Sequence, residues 1–205
     1  MHKPTGGGAG GATRQTHAIR IDDMTLYVQS PSLLTPSKDF PPPHVSSQIN
    51  LDEVTTPKSL FGGHWDGPKY QLISVASTLA IMMSIRHWPD ISLDQKGCRA
   101  MALAVAENRL ALYRADYMRG MKSIKPTLKF EPIKIGGVDA FYYTYPLASD
   151  DDEYLIPFSD QYFISLSIRS VDNSPFKGEW PEMAARAKAE FLNSLELVGE
   201  VPKCE

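Results

Sequence analysis

Residues 136–171 decide the fold, and they read GGVDAFYYTYPLASDDDEYLIPFSDQYFISLSIRSV. The opening Gly-Gly pair suits the positive φ angles of a two-residue hairpin turn, so residues 129–135 and 138–145 are predicted to be paired strands. Residues 162–171 alternate apolar and polar side chains and are predicted to be the returning strand. The acidic run at 150–153 is predicted to lie in a loop that joins the two strands of this stretch.

Two amphipathic helices are predicted outside this stretch. Ser92 with Gln95 matches a capping box, and the helix that follows is predicted to end near Gly120. Its wide apolar face consists of Met101, Leu103, Val105, Ala106, Leu110, Leu112, Tyr113 and Tyr117. A second helix begins at Pro181, which a first helical turn tolerates. Its apolar stripe consists of Met183, Ala184, Ala187, Phe191, Leu192 and Leu195. Both helices are therefore predicted to lie on the sheet.

The amino-terminal half is predicted to add further strands. Residues 17–28 show a strand pattern that breaks at Asp22 and Asp23, which a hairpin turn or a bulge would explain. Residues 46–54 are predicted to be a short strand or an edge segment. For residues 69–88 the β-branched content favours a long strand with a bend, and a helix is the alternative.

Two other segments of this half are predicted to be connections. Residues 30–43 contain five prolines, which remove backbone donors and fix φ, so an extended surface loop is expected there. Residues 57–68 contain the sequence FGGHWDG and are predicted to be a loop, either functional or mobile.

The domain organisation is predicted to be one domain with a flexible arm. Residues 1–16 are Gly-rich and suit a tether, and residues 17–205 form a single domain. The start shows neither a basic region nor an apolar region of a signal peptide. We interpret the arm as the start of a mature bacterial lipoprotein, with Met1 in place of the signal and its lipid-bearing cysteine. A vector-derived or native disordered tail is the alternative.

Strands, one long helix, a meander of strands and a closing helix predict an α+β domain, with an antiparallel sheet covered by a long central helix and a carboxy-terminal helix. This order of elements resembles the Mog1/PsbP/DcrB-like sandwich over residues 17–200. The resemblance implies an antiparallel sheet covered by helices. It includes no diagnostic motif, so it bears on fold and not on function.

The sequence contains two cysteines, Cys98 and Cys204. A disulfide between them would stabilise the fold by closing a long loop in the unfolded chain, and it would protect a thiol next to the chain end. Two free thiols are the alternative, so the pairing stays open at this point.

Composition excludes some partners. The net charge is −3 and the pI is about 6.0, whereas binders of nucleic acid or anionic membranes need a basic excess. No apolar run reaches the length that spans a bilayer. The sequence predicts no nucleic-acid partner, and membrane contact only through the lipid anchor suggested above, which this sequence does not contain.

Motifs for catalysis and cofactors are absent from the sequence. The five histidines are scattered, with no HExxH or CxxC pattern, no GxSxG sequence and no P-loop. The sequence therefore predicts no metal, no cofactor and no enzymatic activity. An enzyme with an unrecognised site is the remaining alternative, and it would need a pocket that gathers His64, His87 or Asp66 with a nucleophile.

Charge is segregated along the chain. Residues 93–134 contain nine basic and four acidic side chains, and residues 148–163 contain five acidic and no basic ones. Ordinary solubility is one interpretation, with the acidic loop near the basic helix. Electrostatic complementarity to a protein partner is the other.

Aromatic residues flank the acidic run, and tyrosine is a frequent interface residue. A buried aromatic core is the alternative interpretation for each single ring. The predicted partner-binding residues are Tyr142, Tyr143, Tyr145, Asp150, Asp151, Asp152, Glu153 and Tyr154.

These features are typical of a non-catalytic binding protein of the bacterial envelope. In build, though not in any motif, the chain resembles immunity proteins that neutralise toxic effectors, such as the periplasmic inhibitors of type VI secretion lipases. That resemblance implies occlusion of an effector in the periplasm, and an anchor at the outer membrane is a further expectation. An envelope assembly or maintenance lipoprotein is the second hypothesis.

Overall fold

The computed structural model describes residues 15–67, 77–88, 97–117, 127–145, 151–172 and 179–199. These residues form two mostly antiparallel sheets and two α-helices, which confirms the predicted α+β class. The strands are β1 (Thr16–Ile21), β2 (Met24–Gln29), β3 (Thr35–Pro36), β4 (His44–Val45), β5 (Gln48–Ile49), β6 (Lys58–Asp66), β7 (Thr78–His87), β8 (Lys129–Ile135), β9 (Val138–Thr144), β10 (Asp151–Pro157), β11 (Tyr162–Val171) and β12 (Glu196–Val198). The helices are α1 (Cys98–Tyr117) and α2 (Trp180–Ser194).

The smaller sheet has the strand order β12-β2-β1-β5. β1 and β2 form the hairpin predicted for residues 17–28, and Asp22 in its turn has φ 50°. β5 adds a short parallel strand beside β1 within the segment predicted to be an edge. β12 pairs with β2 and was not predicted.

The larger sheet has the order β3-β6-β7-β11-β10-β9-β8, with β4 also paired to β6. The hairpin of β8 and β9 turns at Gly136 and Gly137, with φ 58° and 85°, as the sequence predicted. Gly136 is also required by packing, because an added Cβ would lie 2.0 Å from the Leu195 carbonyl oxygen. β7 confirms the strand over the described part of residues 69–88, and residues 68–76 lie outside the described ranges.

The main core lies between the two sheets and is closed by α2. The apolar stripe of α2 faces this core through Ala184, Ala187 and Phe191, as predicted. Phe191 lies with its ring centre 5.3 Å from that of Phe61 on β6. This side of the larger sheet is called the inner face below.

α1 covers part of the opposite side, the outer face, where a second cluster includes Ala102, Ala106 and Leu110. The helix begins at Cys98 and not at the predicted capping box, because Gly97 has φ 103°, which an α-helix does not allow. Ser92, Gln95 and the predicted stop at Gly120 lie outside the described residues.

The prediction of a loop over residues 57–68 is wrong, since β6 runs through it with Phe61 and Trp65 fully buried. Gly62 and Gly63, which suggest a loop, instead allow neighbouring side chains to approach the strand closely. A Cβ on Gly62 would lie 2.7 Å from His44, and one on Gly63 would lie 2.8 Å from the Trp65 ring. Glycine in a strand often marks such a contact.

The Pro-rich segment 30–43 is also more packed than predicted. Leu34 is buried in the main core, and β3 within this segment pairs with β6. Proline is compatible with this because β3 lies at the end of the sheet, where no further strand needs its amide.

The termini bear on two further predictions. Of the tether predicted for residues 1–16, residues 1–14 lie outside the described residues and Thr16 begins β1. Cys204 also lies outside the described residues, and Cys98 is buried at the start of α1. The disulfide therefore stays a prediction. In the described ranges, neither helix has the length and apolar character that crossing a membrane requires.

Candidate functional site

The acidic run does not form the predicted loop. Asp151, Asp152 and Glu153 begin β10, which pairs with both β9 and β11, so the stretch 136–171 contains three strands and not two. Asp150 lies outside the described residues. The prediction of a loop is wrong. Each of these three carboxylates forms an ion pair with a basic side chain that is distant in sequence. This pairing allows an acidic segment to be a strand of the sheet.

The three ion pairs lie on alternating sides of β10. Glu153 is 2.7 Å from Arg109 of α1, on the outer face. Asp151 is 3.4 Å from Arg169 of β11. This arrangement agrees with the alternative that acidic residues lie near the basic helix, since Arg109 belongs to the basic segment.

On the inner side of the same strand, Asp152 is 2.6 Å from Lys188 of α2. It also accepts a hydrogen bond of 2.7 Å from the Tyr142 hydroxyl. This carboxylate therefore links the sheet to α2.

The predicted tyrosine cluster is mostly interior. Tyr143, Tyr145 and Tyr154 are buried, and Tyr142 is half-buried. Tyr145 donates a hydrogen bond of 2.6 Å to the Ala106 carbonyl of α1. These rings and Glu153 therefore support the fold and do not form an exposed patch.

Burial dominates the electrostatics beneath α1. Desolvation raises the pKa of the Glu153 carboxyl, and the adjacent Arg109 guanidinium opposes this shift. Burial, followed by the negative charge of Glu153, raises the pKa of the Tyr143 hydroxyl to about 12. The Tyr143 hydroxyl accepts a hydrogen bond of 3.1 Å from Arg109, so these three groups form one network.

Of the three candidate residues of the enzyme alternative, His87 lies apart from the other two. His64 and Asp66 lie opposite Ala80 and Thr78 at one end of β7, whereas His87 ends that strand. The His64 ring stacks on Phe40 at 3.9 Å, and the His87 ring lies 4.3 Å from Tyr162.

A serine–histidine contact joins β4 to β6, where His44 Nε2 is 2.5 Å from Ser59 Oγ and both residues are exposed. In the described part of the chain no carboxylate orients this imidazole, as a nucleophile–base pair requires. The same residues contain no group of three or more His, Cys, Asp or Glu side chains that could hold a metal ion.

A groove of about 400 Å³ opens between α1 and the outer face of the larger sheet. It is called the outer groove below. Its lining residues are Thr55, Thr56, Pro57, Arg86, His87, Val105, Asn108, Arg109, Leu112 and Phe163.

Four segments position the side chains of the outer groove. Val105, Asn108, Arg109 and Leu112 recur at the spacing that places them on one side of α1. Arg86 of β7 lies directly opposite Phe163 of β11, so both belong to the floor. The residues before β6 are the fourth segment.

The floor of the outer groove continues into an open part of the sheet. Met82, Ser84 and Arg86 share one side of β7 because alternate residues of a strand face the same way. Met82 is 50% exposed, and Leu112 on α1 is 67% exposed. Leu112 lines the groove together with Arg86 and Arg109, whereas Met82 lies further along β7, outside the lining residues.

The buried network lies beside this open surface. Met82, Ser167, Glu153 and Tyr143 are successive partners across β7, β11, β10 and β9. Two of the predicted residues therefore lie under α1 in the same row as Met82. Tyr142, Asp152 and Tyr154 lie on the inner side of the same strands, so the predicted residues are divided between the two faces.

A second cleft of about 340 Å³ lies at the other end of the core and is lined mainly by apolar and proline residues, with Trp65 among them. Its His17 already contacts Ser30 Oγ at 3.3 Å. No charged side chain other than this imidazole lines the cleft, so it offers less for recognition than the outer groove.

No protein-family model matches this chain, and neither the curated proteins nor the solved structures include a match to it. The function proposed below is therefore inferred from the residues of the outer groove.

Proposed function

We propose that this protein is a non-catalytic protein-binding module, and within that class an immunity protein that neutralises a secreted toxic effector, such as a lipase, by occlusion. The outer groove carries this proposal. Exposed Leu112 lines it together with Arg86, and exposed Met82 lies further along the same side of β7. Methionine and arginine are enriched in protein–protein interfaces.

The chemistry of the outer groove supports binding more than catalysis. Its polar lining consists of arginine, asparagine, threonine and His87. These groups recognise a partner without any chemical step. An occluding inhibitor needs only a surface that complements its target, so a hydrogen-bonding groove with apolar edges is sufficient.

The Mog1/PsbP/DcrB-like sandwich and a periplasmic location, with a lipid anchor ahead of the tether, belong to the same proposal. Two packed sheets with helices are consistent with that fold. An envelope assembly or maintenance lipoprotein is the alternative on the same fold, and it predicts a multi-subunit partner.

The experiment is affinity capture from the source cells followed by a toxicity test. We expect the wild-type chain to capture one stoichiometric partner, which stops growth when it is expressed alone in the periplasm and does not when this chain is co-expressed. Leu112→Asp is expected to lose capture and protection, because it places a charge at the apolar edge of the groove.

The matched control is Val198→Asp, which changes an exposed apolar residue of the smaller sheet that is 48% exposed. It is expected to capture and protect like the wild type. A captured partner that is harmless alone would contradict the immunity function, and a multi-subunit complex would favour the assembly alternative.

A further inference from the structure

On the outer face, the guanidinium of Arg86 forms no ion pair with a carboxylate among the described residues. Arg109 is matched by Glu153 at 2.7 Å, and Arg169 is matched by Asp151 at 3.4 Å. Arg86 donates through Nε to Ser84 Oγ at 3.0 Å.

The position of Arg86 makes this difference from Arg109 and Arg169 significant. The side chain is half-buried, and it lies close enough to Arg109 for the two positive charges to repel. Burial, followed by Arg109, lowers the pKa of Arg86, and the negative charge of Glu153, which is already paired with Arg109, opposes this shift only in part. An anion in the outer groove would relieve both effects, because opposite charge stabilises a desolvated cation.

The surroundings define the kind of anion. Leu112, Val105 and Phe163 form apolar walls, and Asn108 adds an amide near Arg86. Guanidinium matches the planar carboxylate through two parallel hydrogen bonds. A carboxylate next to an apolar side chain therefore fits the outer groove better than an isolated ion.

We propose that the outer groove receives an acidic side chain of the partner protein, with its carboxylate on Arg86 and an adjoining apolar side chain against Leu112. This inference rests on the proposed function, since it specifies the chemistry of the partner at the same surface. The net negative charge of the chain makes a local cationic site selective for such a contact.

The test is an NMR titration of the full chain with two peptides, acetyl-Leu-Glu-Leu-amide and its Gln counterpart, and with acetate. The Glu peptide is expected to shift the Leu112 methyl and Arg86 Nε–H signals. The Gln peptide and acetate are expected to bind at least about tenfold more weakly, since each lacks one part of the contact.

Two variants connect the binding to Arg86 and the groove. Arg86→Gln is expected to weaken the binding of the Glu peptide by about 10- to 100-fold. Its control is Arg169→Gln, which removes the same charge from an exposed position on the same face and is expected to change the affinity less than about twofold because exposed charges are screened.

If Arg86→Gln does not fold, Asn108→Asp provides the same test from an exposed position of α1. It is expected to repel the Glu peptide while Asn193→Asp, an exposed change on α2, has no effect.

Three results would overturn the inference: equal binding of the Glu and Gln peptides, acetate binding as tightly as the Glu peptide, or equal losses in Arg86→Gln and Arg169→Gln. Peptide binding without a toxic partner would remove the immunity function and leave this inference standing. If the wild type and Arg86→Gln capture a toxic partner equally well, the immunity function stands and this inference is overturned.

Discussion

The two faces of the larger sheet are built from the same strands but have different chemistry. On the inner face, side chains such as Phe61, Trp65 and Ile164 pack into an apolar core under the smaller sheet and α2. On the outer face, Glu153 and Arg109 form a buried ion pair under α1, beside a groove that is open to solvent. The inner face therefore determines stability, and the outer face has the residues suited to recognition.

The largest expected effect tests the inner face. Phe191→Ala should lower the free energy of unfolding by about 3–5 kcal/mol, because it removes a fully buried ring and leaves a cavity. Leu112→Ala on the outer face should change it by less than about 0.5 kcal/mol, since that side chain is exposed. Urea unfolding of both variants measures the contrast, and similar losses would contradict the division between the faces.

A smaller effect tests the buried ion pair. The pKa of Glu153 is raised in the folded protein above its ordinary 4.5, first by burial. The folded state therefore binds the proton more tightly than the unfolded state does, and the contribution of Glu153 to stability is largest in acid. The free energy of unfolding of the wild type, minus that of Glu153→Gln, should fall as pH rises from below 4.5 through the folded pKa.

Urea unfolding at several pH values measures this difference. Asn193→Ala is the control, because Asn193 is exposed and neither side chain titrates, so its difference from the wild type should not change with pH. If the free energy of unfolding of the wild type, minus that of Glu153→Gln, rises with pH, the raised pKa of Glu153 is contradicted.

Local signals allowed much of the fold to be predicted. The Gly136-Gly137 hairpin and the apolar stripe of α2 are consequences of short-range spacing, and both are confirmed. β6 was missed because two glycines suggest a turn, whereas here they allow His44 and Pro43 to approach the strand. That approach depends on residues outside the segment and cannot be read from it.

The candidate site was harder to predict for the same reason. Asp151–Pro157 begins with three acidic residues, and only their pairing with Arg109, Arg169 and Lys188 allows it to be a strand between two others. The outer groove combines four segments that are distant in sequence. The excess of basic residues in the α1 region was the one signal that pointed toward it.

The most direct test of the outer groove as the recognition surface is hydrogen exchange of the chain with and without its captured partner. We expect slower amide exchange in the partner complex at Thr55, Thr56 and residues 105–112, and no change at β12 on the smaller sheet. Unchanged exchange at both groove segments, with protection confined to the smaller sheet, would contradict it.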